Sequence, residues 1–98
     1  MNRSAFIRNN RNYLLKTIQP NNQFISSLLS LNCVTEEQRD FIQRQRSKGK
    51  KNSVLLEIMR SFNKTFFSNF VKCLRQTNQT ELARMVSKGG GLLYIFND

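Results

Sequence analysis

Any catalysis would have to come from six carboxylates and two thiols, with no histidine, set among sixteen lysines and arginines. Histidine is the usual general base and the commonest metal ligand, and its absence removes both roles. Cys33 and Cys73 have neither the spacing of a zinc site nor a histidine to activate a thiolate. No two carboxylates stand out as an acid–base pair. The K-G-G-G run at residues 88–91 lacks the preceding strand, the glycine spacing and the following helix of a phosphate-binding loop. The expectation is a protein that is not an enzyme, with no catalytic residue, metal or cofactor.

What remains is charge. The net value is +10 over 98 residues, and a field of that sign attracts acidic protein faces, nucleic acid or anionic membrane. Arg8, Arg11 and Lys16 fall in one segment, and Arg44, Arg46, Lys48, Lys50 and Lys51 in another. The carboxylates of Glu36, Glu37 and Asp40 gather at a third place, where the same groups serve equally as helix-dipole complement and as a recognition surface. The two cysteines are expected to be reduced and mostly buried. Met1 is followed by polar residues rather than the apolar stretch of a signal peptide, and no run nears the roughly 18 apolar residues of a membrane span. A cytoplasmic protein is therefore expected.

The elements that must position these charges are helices. One proline and four glycines, three of them consecutive, leave little punctuation for short strands. Six helical segments can be drawn. The first covers residues 5–18, with Ser4 as N-cap, Pro20 as the stop and Ile7, Leu14, Leu15 and Ile18 as its stripe. Arg11 falls inside that stripe on a straight helix. Either its stem carries the charge outward or the helix kinks near Asn9 and Asn10, the reading adopted here. The second segment, ending at Leu31, has no charge. The third opens on Thr35 with Gln38 at the capping-box position and turns Phe41 and Ile42 inward.

The basic run 44–51 reads as an exposed loop around Gly49. The fourth helix then covers residues 53–62, with Leu55, Ile58, Met59 and Phe62 on one stripe and Asn63 as the turn. The fifth, residues 64–76, buries Phe66, Phe67, Phe70, Val71 and Leu74. The sixth begins at residues 78–80, buries Leu82, Met85 and Val86, and stops at the triple glycine. The predicted core includes Leu14, Leu28, Ile42, Leu55, Met59, Phe70, Leu74 and Leu82. Residues 1–88 are expected to form one domain. Residues 89–98, with the apolar LLYIFND, either dock on the bundle or begin a linker.

The order of these segments resembles a caspase recruitment domain, or CARD, of the death-fold superfamily. FIRNNRNYLLKTI resembles the family's first helix, and FISSLLSLNCVTEEQRDFIQRQ its second and third. SVLLEIMRSFNKTFFSNFVKCLRQTNQTELARMV resembles the run from a leucine-rich fourth helix through F-V-x-x-L-R-x-T to L-A in the sixth. The resemblance implies an antiparallel six-helix bundle whose first helix is kinked or broken. It also implies homotypic binding of another CARD in a caspase, adaptor or receptor, in apoptotic or innate-immune signalling such as an inflammasome, often as helical filaments.

In one common family contact, a basic face on helices one and four meets an acidic face on helices two and three. Carried onto this chain, the basic face is Arg11 with Arg8 and Lys16 beside it, and Lys50 and Lys51 standing in where Asn52 and Ser53 replace the family's frequent arginine. The acidic face is Glu36, Glu37 and Asp40 alone, because the second helix has no acid. Asn63 departs from a frequent glycine, which asparagine's tolerance of unusual backbone angles accommodates. The resemblance thus implies a basic partner for a more acidic CARD and weak self-assembly. The alternative is a small helical nucleic-acid binder using the 44–51 run on phosphates. It lacks a clear recognition helix and a surface pattern of aromatics for stacking bases.

Overall fold

The computed structural model describes residues 3–89, and among these the chain is helical with no strand. Seven helices follow one another: α1 Arg3–Asn9, α2 Arg11–Thr17, α3 Asn22–Ser30, α4 Glu36–Arg44, α5 Lys48–Met59, α6 Lys64–Gln76 and α7 Thr80–Gly89. The sequence predicts six, with α1 and α2 as a single kinked helix. Asn10 separates them: its backbone N–H and its side-chain amide both donate to the Phe6 carbonyl, at 3.1 and 2.8 Å. That closes α1 on itself, and Arg11 opens a new helix.

Most helix starts are written in single residues. Asn21, Thr35, Ser47 and Asn63 each accept the backbone N–H three residues on, at 2.9 to 3.1 Å, and each such cap contributes about 1 kcal/mol. Thr35 and Gln38 complete the expected capping box, with the Thr35 N–H donating to the Gln38 side chain at 2.9 Å. Two helix ends use asparagine in the left-handed region, Asn32 at φ 61° and Asn78 at φ 63°. After α3, the Cys33 N–H donates to the Leu28 carbonyl and the Asn32 N–H to Leu29. After α6, Gln79 and Asn78 repeat the pattern on Leu74 and Arg75. These are Schellman closures, which satisfy carbonyls a helix end would otherwise leave bare.

The core lies between α6, which packs on α3 and α7, and α5, which is flanked by α2 and α4. All eight core residues named from the sequence are buried. Phe70 stands at the centre of an aromatic cluster, edge-on to Phe24 at 5.8 Å between centroids and tilted against Phe62 and Phe67 at 6.3 and 6.4 Å. Both cysteines are buried and unpaired by any disulfide. A hydrogen bond to Cys73, together with burial, pushes the Cys33 thiol up from its ordinary pKa, so it keeps its proton.

Several local expectations are corrected. Ser4 lies inside α1 rather than capping it, since the helix begins at Arg3. The 44–51 run is not one loop: Arg44 closes α4, and Ser47 caps an α5 whose first turn is Lys48 to Lys51. Gly49 faces open space there, so nothing in the packing excludes a helix. Helix α5 ends at Met59, short of Phe62. Phe41 is 48% exposed, whereas Ile42 is buried as expected. Phe66, Met85 and Ile58 pack against the core but remain half-buried. The LLYIFND segment lies outside the described residues.

Candidate interaction faces

Helices α1 and α2 carry Arg8 and Arg11, which the structure places beside α5. Beneath them lies Asn52, fully buried, whose side-chain amide donates to the Leu15 and Ile18 carbonyls at 2.9 Å each. That ties the last turn of α2 to the start of α5. At the next residue of α5, Ser53 accepts a hydrogen bond from the Arg11 guanidinium at 3.2 Å. The Arg11 charge is thus held at the seam between the two helices. Its position at the first residue of α2, after the break at Asn10, removes the conflict with the apolar stripe.

Around this seam Arg8 and Arg11 line a cavity of about 270 Å³ with Ile7, Leu56, Glu57 and Arg60. Ile7 and Leu56 are buried and give it an apolar floor. Glu57 accepts from Arg60 at 3.4 Å, both side chains being about 62% exposed. Lys16, Lys50 and Lys51 do not line this cavity. Lys16 and Lys50 are exposed, while Lys51 reaches away to donate to the Gln43 carbonyl of α4 at 3.1 Å. The five basic residues expected from the sequence therefore split, with Arg8 and Arg11 together and the lysines apart.

The expected acidic residues lie on the first turns of α4. Glu37 and Asp40 line a groove of about 520 Å³ between α4 and α5, with Gln38, Phe41, Arg44, Val54, Glu57 and Ile58. Arg39 sits among the acids: its Nε donates to Asp40 at 2.7 Å, and its far nitrogen lies 4.0 Å from Glu36. The Arg44 guanidinium rests 5.7 Å from the centroid of the Phe41 ring. The acid trio is therefore diluted by two arginines.

Glu57, Arg60 and Arg39 were not singled out from the sequence. A signal existed for the first two, since Ser53, Glu57 and Arg60 recur at helical spacing opposite Leu55 and Met59. No group of His, Cys, Asp and Glu among the described residues could hold a metal ion. No helix among the described residues is long and apolar enough to cross a membrane.

A bundle of short helices whose distinguishing surfaces are a cationic seam and a mixed groove has the form of a protein-interaction module. Comparison with family models makes that specific: the caspase recruitment domain model matches residues 4–89, and the chain belongs to that family. CARDs are death-fold helical bundles that bind other death-fold domains, an interaction family rather than an enzyme family. Neither the curated proteins nor the solved structures gave a match.

Proposed function

We propose that this domain is the basic partner in a CARD–CARD pair of apoptotic or inflammatory signalling in the cytoplasm. The observation that carries the reading is the convergence of Arg8 and Arg11 on one seam, with Arg11 held by Ser53. A side chain already ordered in the free domain loses less entropy on binding than a free lysine does. In this reading α1 and α2 are the two halves of one first helix broken at Asn10, which makes the bundle a six-helix one. Residues after Gly89 act as a tail or the start of a linker. Lys16, Lys50 and Lys51 lie outside the cavity and contribute long-range attraction to an acidic face, and Glu36, Glu37 and Asp40 form a weaker second face.

Charge reversal tests this. Arg11→Glu, alone or with Arg8→Glu, places like charges across the contact and leaves partner carboxylates unpaired. Binding to an acidic CARD, measured by calorimetry, is expected to fall at least tenfold while circular dichroism stays unchanged. Normal binding by a folded Arg8→Glu/Arg11→Glu protein would remove the recognition role.

A further inference from the structure

The cavity at the α1–α2–α5 seam has a composition that a carboxylate-binding face does not require. Three guanidinium groups, from Arg8, Arg11 and Arg60, surround it against the single carboxylate of Glu57, leaving two positive charges in excess. They come from α1, α2 and the C-cap of α5, and the cavity they line also touches the buried residues Ile7 and Leu56. Guanidinium forks match the tetrahedral oxygens of phosphate in paired hydrogen bonds, and a dianion can engage more than one fork at a time. The volume, about 270 Å³, far exceeds the roughly 30 Å³ share of one water in the liquid. It leaves room for a phosphate group and the first atoms of its carrier.

We infer that this cavity is a binding site for a phosphate monoester dianion, with Arg8, Arg11 and Arg60 as donors and Glu57 setting the affinity from within. Glu57 has two effects of the same sign. It holds Arg60 at 3.4 Å, and it repels any anion entering the pocket. Arg11 is pre-positioned by Ser53 at 3.2 Å. The inference does not rest on the acidic-partner reading, because the isolated domain supplies every donor.

The experiment titrates the full chain with phenyl phosphate at fixed ionic strength, following arginine Nε–H resonances by NMR, with acetate as the monoanion control. The Arg8, Arg11 and Arg60 signals are expected to move together along one saturable curve that acetate does not reproduce. Arg60→Ala should weaken binding roughly tenfold, as the loss of a charge-assisted contact does. Glu57→Gln should tighten it about threefold, a modest change because the pair is largely exposed. Both positions are on the surface, so thermal unfolding should report intact folds.

The monoester could be soluble or a lipid headgroup, and phosphatidylcholine vesicles containing phosphatidic acid distinguish the two. Vesicle binding that is competed by phenyl phosphate and weakened by Arg60→Ala assigns the site to the headgroup. Phenyl phosphate binding without vesicle binding assigns it to a soluble monoester. Equal shifts with acetate, or a phenyl phosphate affinity indifferent to both Arg60→Ala and Glu57→Gln, would overturn the site. Charge reversal at Arg8 and Arg11 tests the acidic partner separately, so one reading can fail while the other holds.

Discussion

Asn52 decides more than its single side chain suggests. It is fully buried, and its amide nitrogen serves the carbonyls of Leu15 in α2 and of Ile18 just past it, while its own oxygen has no partner among the described residues. Replacing it by alanine leaves the buried Ile18 carbonyl and the part-buried Leu15 carbonyl short of a donor, at about 1–3 kcal/mol. Aspartate is expected to be worse at neutral pH, because a carboxylate would face those carbonyls with no donor at all. Chemical denaturation of both variants orders them, and an aspartate variant as stable as the parent would refute the account. Phe70 is the apolar counterpart, with Phe24, Phe62 and Phe67 around it. Truncation to alanine removes its ring contacts and leaves a cavity, costing roughly 3–5 kcal/mol, a large share of the 5–15 kcal/mol typical of whole proteins. A denaturation midpoint that barely moves would contradict the central place given to it.

At the scale of elements, what could be read in the sequence follows how local each signal is. The Thr35–Gln38 capping box lies within four consecutive residues and was legible outright. The apolar stripes of α6 and α3 were legible because their spacing repeats over several turns. The start of α5 was not: lysines beside a glycine carry no apolar period, and the helix there depends on Ser47 capping Lys50. Asn52 was read by its place in the family pattern, and its burial appeared only when α2 folded against it. Arg60 and Glu57 gain meaning from helices α1 and α2, far away in sequence. The Schellman closures offer a test at this scale. Asn78 sits at φ 63°, where a Cβ without a local polar partner costs about 1–2 kcal/mol. Asn78→Ala should therefore destabilise by about that amount, and Asn78→Gly should be neutral or stabilising. Thermal melts of the pair check it, and an alanine variant as stable as the glycine one would show that the backbone has rearranged.

For the whole molecule, the balance of charge governs assembly. A filament of identical copies repeats one heterologous interface, so each copy must supply both halves. The basic half is plentiful in a chain of net charge +10. The acidic half is not, and the structure sharpens the shortage. Arg39 engages Glu36 and Asp40, Arg60 engages Glu57, and Arg84 engages Glu81. Among the described residues, that leaves Glu37 as the carboxylate with no ion pair. Exposed pairs of this kind are individually weak, at about 0–1 kcal/mol, so they stabilise the fold little, yet each places a positive charge beside a carboxylate that a basic partner would meet. Stacking copies would add repulsion between like-charged bodies, and salt shortens its reach to roughly 8 Å at physiological strength. The isolated domain is accordingly expected to be monomeric at low salt, to associate as salt or concentration rises, and to prefer an acidic CARD to itself. Light scattering across a salt series measures this. Arg39→Gln, which frees Asp40 and Glu36, should shift association to lower salt. Filaments forming at low salt and micromolar concentration would instead place the driving force in apolar contacts, with the half-exposed Phe41 as the first residue to substitute.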